Sequence, residues 1–312
     1  MQLPLKNALF VASLLALLYG CDDRSRDVEI FEPSEEHAAQ LVLKSLLCPD
    51  SVVSIAVHHT VAANTPWSEI QYAYIVDSAT VALYEDSALV EILPHSHDGI
   101  YTSASSYRPK PLRRYHFVVS AQGYDTAYNL PETIPDTAAI ASVAFTDSVG
   151  MYLPQDYNYF LEDYGQTISR LQFSFRDPAA ARNYYALRPV LVEGDTFVPT
   201  DNPFAALTDN IGGCPLRGQP ACIDDACFAG VTPWVNVDVI PYYDGYTINN
   251  MSGIRVGLAS VSEAYYKRSL SYENYVALND NIFQEPYNVY SNIQHGYGLV
   301  AAYHANHRLV AF

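Results

Sequence analysis

Three histidine groups hold the residue types that could do chemistry in this chain. They are His95, Ser96, His97 and Asp98 in "PHSHDG", His58 and His59 in "VHHT", and His295, His304 and His307 near the C-terminus. Two imidazoles at alternate positions beside a carboxylate can share a metal ion, which would serve a hydrolase as a Lewis acid. A nucleophile, base and orienter form the other arrangement, but its members must converge from rigid elements. Adjacent residues in one turn cannot hold three groups in line. "PHSHDG" therefore reads first as a polar hairpin tip, with a hydrolase built on a metal at His95 and His97 as the alternative. No GxSxG, HExxH, GxGxxG or phosphate-loop pattern occurs. The expectation is no catalytic residue, no resident metal and no cofactor.

The sequence contains five cysteines. Cys21 follows one charge at Lys6 and an apolar run from Ala8 to Leu18, shorter than the roughly 20 residues that span a bilayer. Leu18-Tyr19-Gly20-Cys21 resembles the lipobox of bacterial lipoproteins, with Tyr19 in place of the usual small residue. That likeness implies cleavage after residue 20 and acylation of Cys21. Cys48, Cys214, Cys222 and Cys227 remain, and four cysteines allow three disulfide connectivities in an exported protein. The last three lie in the Gly/Pro-rich "GGCPLRGQPACIDDACF", where a crosslink would offset a missing core. A zinc site would want tighter paired spacing and a neighbouring histidine. Cys48, in the apolar "LVLKSLLC", fits a buried thiol equally well.

Tyrosine is abundant, at 26 of 312 residues. Tyr157 and Tyr159 in "DYNYFLEDY", and Tyr242 and Tyr243 in "PYYDGY", fall in loop-like stretches. Flat rings with a polar tip suit stacking on sugars and protein interfaces. Half-buried positions at strand edges are the competing use of Tyr. The charge balance restricts partners further: 17 Lys and Arg against 34 Asp and Glu give a net charge of −17. Such a chain is repelled by nucleic acid and by anionic headgroups, so membrane contact is expected through the lipid alone.

The elements that must position these residues are mostly strands. Residues 1–20 read as a lipoprotein signal peptide, and residues 21–37, charged and poor in apolar side chains, as a flexible tether. From residue 38 the period is two, in "QLVLKSLLC", "SVVSIAVHHT", "ATVALYED", "GIYTS" and "RYHFVVSA". Tyr115, Phe117 and Val119 share one face. Short strands between turn signals predict an immunoglobulin-like or transthyretin-like β-sandwich over 38–135, closing at the proline-bearing "NLPETIPD". Residues 136–312 predict a second β-rich, sandwich-like domain. There "RLQFSFRD" sets Leu171, Phe173 and Phe175 against Arg170, Gln172 and Ser174, and "GIRVGLASVS" aligns Ile254, Val256 and Leu258. One helix is expected near 262–279, with Ser262 as N-cap and Glu263 at the positive end of its dipole. "LVAAYHANHRLVAF" reads as a terminal hairpin turning at Asn306.

"TVALYED…GIYTS", "FRDPAAARNYYALRP" and above all "EPYNVYSNIQHGYGLVAAY" resemble the Bacteroidetes-type lipoproteins grouped as domain-of-unknown-function family 4249, over about residues 38 to 312. The most specific part is Asn-Ile-x-x-Gly-x-Gly at Asn292, Ile293, Gly296 and Gly298. The resemblance implies an outer-membrane lipoprotein at the cell surface, with the periplasmic face as the alternative. It also implies a TonB-dependent receptor as partner in importing glycans or peptides, and it brings no catalytic residues. Read physically, the motif is a turn entering the last strand: the glycines permit positive φ and the Asn side chain holds the turn.

Overall fold

Alternation of apolar and polar residues builds this protein from strands. The structure, a computed structural model, describes residues 38–62, 65, 74–152, 166–178, 182–187, 190–193, 196–198, 206–207, 210–211, 214–215, 217, 222–239, 242–243, 246–247, 253–279 and 288–311. Before residue 136 these include β1 (Leu41–Leu47), β2 (Ser54–His59), β3 (Thr80–Glu85), β4 (Ala88–Leu93), β5 (His95–His97), β6 (Ile100–Thr102), β7 (Arg114–Ser120), β8 (Ala127–Asn129) and β9 (Glu132–Thr133). In β7, Tyr115, Phe117 and Val119 are all fully buried, as a period of two requires. They face Leu41 and Leu43 of β1 and Ile55 and Val57 of β2 in one core, the arrangement of a sandwich. Full burial of each large side chain contributes roughly 1.5–3 kcal/mol.

Further along the chain come β10 (Ile140–Tyr152), β11 (Gln166–Phe175), β12 (Tyr184–Leu187), β13 (Val190–Glu193), β14 (Thr196–Val198), β15 (Ala206–Leu207), β16 (Asn210–Ile211), β17 (Cys214–Pro215), β18 (Cys222–Asp224), β19 (Trp234–Val239), β20 (Tyr242–Tyr243), β21 (Tyr246–Thr247) and β22 (Gly253–Val261). A helix, α1 (Glu263–Asn279), then precedes β23 (Ile293–Gln294) and β24 (Gly296–Ala311). Leu171, Phe173 and Phe175 of β11 are buried against Tyr185, Val256 and Leu258 in a second core. The fold is mainly β, with sandwich-like layers and, among the described residues, one α-helix.

A single sheet runs through both halves of the sequence, in the order β14-β13-β22-β24-β1-β2-β6-β5. Its pivot is β24, which pairs parallel to β1 and antiparallel to all nine residues of β22. Even-numbered side chains of β24 serve both cores: Val300 and Ala302 enter the first, and Val310 packs on the second. Odd-numbered Ala301, Tyr303 and Ala305 face the other way, toward Tyr265 of α1. Both faces of β22 are covered too, since Ala259 and Val261 join the helix-side cluster. The expected hairpin at Asn306 is therefore corrected. Asn306 pairs with Leu258 in the middle of an unbroken 16-residue strand, because β22 supplies a partner along this whole stretch. "NLPETIPD" is held as well, through β9 pairing with β7 and through Ile134, which is fully buried.

Candidate functional site

Helix α1 repeats Tyr265, Arg268, Ser269 and Tyr272 at the i, i+3, i+4, i+7 spacing that places side chains on one face. That face borders a groove of about 700 Å³. Lys44, Ser45 and Leu46 of β1 and Tyr297 to Leu299 of β24 line the sheet side, and Val289 to Ser291 complete the wall. The helix is fixed over the sheet at its first turn. The Ser262 hydroxyl accepts hydrogen bonds from the backbone N–H of Tyr265 (3.4 Å) and of Ala302 (3.1 Å), and the Ser262 N–H donates to the Ala302 carbonyl at 2.8 Å. Midway along the helix, Ser271 Oγ accepts from the Tyr290 N–H at 2.9 Å, tying the wall to the helix.

The rim is apolar and exposed: Tyr297 is 54% and Leu46 43% accessible, and Tyr272, Tyr275 and Val276 continue the surface along the helix. The Arg268 guanidinium lies 5.4 Å from the centre of the Tyr272 ring, which in turn stacks on Tyr275. Lys267 sits 5.6 Å from the Tyr290 ring and pairs with Glu263 at 3.0 Å. Arg268 and Lys44 have no carboxylate partner among the described residues. The lining contains no Asp, Glu, His or Cys; its hydroxyls belong to Ser45, Ser269, Ser291 and four tyrosines, and its charged groups are Lys44 and Arg268. Ser45 Oγ donates to the Ser54 carbonyl, and Ser291 Oγ accepts from the Ile293 N–H. A concave, largely aromatic lining with two cations is an arrangement suited to binding.

The Asn292 motif shapes this region from beneath. Asn292 is buried and clasps one residue of β24 at both ends: its Nδ2 donates to the Val300 carbonyl (2.7 Å) and its Oδ1 accepts from the Val300 N–H (3.0 Å). Positive φ falls on His295 and Gly298. The glycines answer chiefly to close approach. A Cβ on Gly296 would sit 2.5 Å from the Leu41 carbonyl oxygen, and one on Gly298 2.0 Å from that of Leu43, so the parallel neighbour β1 lies too near for any side chain. Asn292 Nδ2 also donates to Glu132 at 3.3 Å. Burial, with the nearby Glu263 carboxylate, pushes Glu132 up to about 7 against the hydrogen bonds from Ser262 and Asn292.

The other residues singled out in the sequence do not gather here. His95 and His97 are exposed on β5, followed by a turn in which Asp98 and Gly99 have positive φ. His95 Nε2 accepts from the Gly99 N–H at 3.3 Å, and His97 Nδ1 lies 2.7 Å from Ser96 Oγ. Among the described residues no group of three His, Cys, Asp or Glu is placed to hold a metal ion. His58 packs edge-on against Tyr74, and burial holds its pKa below the usual value. His304 and His307 pair with Ser260 and Gly257 on opposite faces of β24. Cys214 is disulfide-bonded, whereas Cys48 and Cys222 are buried thiols. Cys222 belongs to β18, hydrogen-bonded to β12, so part of the cysteine loop is woven into the sheet. Cys21, Tyr157, Tyr159 and the side chains of Cys227, Tyr242 and Tyr243 lie outside the described residues.

Within "FRDPAAARNYYALRP", the buried residues Asp177 and Tyr185 belong to a polar brace. Asp177 accepts from the Tyr185 hydroxyl (2.5 Å) and the Gly230 N–H (2.7 Å), while Asp225 accepts from the Asn183 N–H (2.8 Å). Burial raises the pKa of Tyr185, and the Asp177 carboxylate adds to the rise. The groove itself went unnamed in the sequence reading. Its residues come from four separate stretches, and the signal for them was the helical spacing of Tyr265, Arg268 and Tyr272 with a tyrosine inside the glycine motif. No curated protein matches the chain. A family model described as domain of unknown function (DUF4249) matches residues 27–308, a span holding both the Asp177 brace and the Asn292 clasp. With that match over most of its length, the chain belongs to the DUF4249 family.

Proposed function

We propose that this chain is a cell-envelope lipoprotein, held in the outer membrane through lipid on Cys21, that acts as a non-catalytic accessory of a TonB-dependent transporter in capturing glycan or peptide nutrients. The observation that carries the reading is the tyrosine-walled groove beside α1, which is concave and framed by the hydrogen bonds of Ser262 to the sheet and of Ser271 to the Tyr290 wall. The anchor rests on Leu18-Tyr19-Gly20-Cys21, and the transporter on the resemblance carried by the Asn292 motif. Among the described residues no helix is long and apolar enough to cross a membrane. A lipid with a short tether would confine the body near the bilayer and raise its effective concentration at a receptor. In this reading the groove takes cargo, and the stretches bearing Tyr157, Tyr159, Tyr242 and Tyr243 meet the transporter.

Affinity purification from detergent-solubilised, crosslinked outer membranes tests it. A TonB-dependent receptor is expected to co-purify, and replacing the four loop tyrosines by Ala is expected to weaken its recovery. Absence of any such receptor after crosslinking contradicts the reading.

A further inference from the structure

We infer that the groove binds short peptides by a free C-terminal carboxylate carried on an apolar body. The inference rests on the binding role proposed above and specifies its cargo. Charge is the first ground. The protein carries −17 overall, yet the two charged groups lining this groove are the cations Lys44 and Arg268, and neither is neutralised by a carboxylate among the described residues. Arg268 is half-buried and laid over Tyr272, so its planar fork is pre-oriented and partly desolvated, the condition in which guanidinium discriminates carboxylate from neutral groups. Burial pulls against its charge, which an incoming anion would offset.

Lining chemistry is the second ground. A sugar presents hydroxyl donors along its whole ring and is held by side-chain acceptors, but the groove offers no Asp, Glu, Asn or Gln. Two of its three serine hydroxyls are already engaged, Ser45 with the Ser54 carbonyl and Ser291 with the Ile293 N–H, so few acceptors remain for those donors beside Leu46, Leu299 and four tyrosine rings. A short peptide of apolar residues offers side chains for the aromatic wall and a C-terminal carboxylate for the two cations, while its amino end can extend from the open groove into water. The openness of the groove to solvent argues against a fatty acid, whose methylene chain would stay wet on one side.

The test is equilibrium dialysis of the full chain against a mixture of acetylated tripeptides of Ala, Val, Leu and Phe with free C-termini, in parallel with the same mixture amidated. The acid mixture is expected to be retained about tenfold more strongly, the usual worth of one charge-assisted bond. Arg268→Met and Lys44→Met are each expected to shrink that ratio. Both side chains lie on the surface of the groove, and the acid-to-amide comparison on the unaltered protein stands even where a variant fails to fold. Equal retention of acid and amide overturns the inference, as does stronger retention of laurate or of oligogalacturonate dialysed in the same way. If neither peptide mixture is retained while a receptor co-purifies, the peptide assignment fails and the accessory role survives. If the acid mixture is retained and no receptor co-purifies, the cargo site stands and the accessory role fails.

Discussion

Replacing Glu132 by Gln should remove a pH dependence built into the junction of β9, α1 and the Asn292 motif. Glu132 is half-buried, with Ser262 and Asn292 donating to it and Glu263, Lys267 and Tyr290 as the ionisable groups nearby. Burial is the largest cause of its rise from 4.5 to about 7. Since the folded value lies above the unfolded one, the contribution to stability is complete below 4.5 and is lost as pH climbs through about 7. At about 1.4 kcal/mol per pH unit, the interval corresponds to roughly 3 kcal/mol as an upper bound, with about 2 kcal/mol of it lost between pH 5 and pH 8. Glutamine keeps the acceptor for Asn292 and cannot ionise. Urea unfolding of wild type and Glu132→Gln at several pH values isolates this group, because other titrations cancel between the two proteins. The variant should gain on the wild type by about 2 kcal/mol from pH 5 to pH 8. A difference between them that stays constant across that range would refute the reasoning.

Asn292→Ala should cost about 2–3 kcal/mol in thermal or urea melts, because both the N–H and the carbonyl of Val300 lose their partner in a buried place. Gly298→Ala should cost about 4 kcal/mol or more, or abolish soluble protein, since its Cβ would strike Leu43 and φ is +115°. In native protein a thiol reagent should reach Cys48 and Cys222 only on unfolding, and should modify Cys214 only after reduction; peptide mapping reads both. Metabolic labelling with a fatty-acid analogue should mark the wild type and miss Cys21→Ser.

Alternation makes the first core easy to read: Tyr115, Phe117 and Val119 are buried while the residues between them are not, and Leu171, Phe173 and Phe175 follow the same period although Ser174 between them is buried as well. Alternation says nothing of a second covered face. Ala259, Val261 and Ala301 are small or ordinary apolar residues, buried in a cluster with Tyr184 and Ala186 of β12, Cys222 of β18 and Tyr265 of the helix. Asn306 looked like a turn because Asn favours turns locally, but antiparallel pairing with β22 overrides that preference. The glycine motif was legible as backbone geometry, although its main cause, the closeness of β1, depends on a strand some 250 residues earlier in the sequence. The groove was hardest to foresee. Lys44, Arg268, Tyr290 and Tyr297 meet only after β1 and β24 pair and α1 packs over them.

In the proposed role the groove holds its ligand without transforming it. The most direct measurement is to incubate the purified protein with excess peptide and oligosaccharide mixtures and to follow bound and free fractions by mass spectrometry over time. Peptides are expected to be recovered intact, at no more than one per protein, with no new species in the free fraction. Products that accumulate beyond the amount of protein and disappear in His95→Ala or His97→Ala would contradict that role and establish a hydrolase instead.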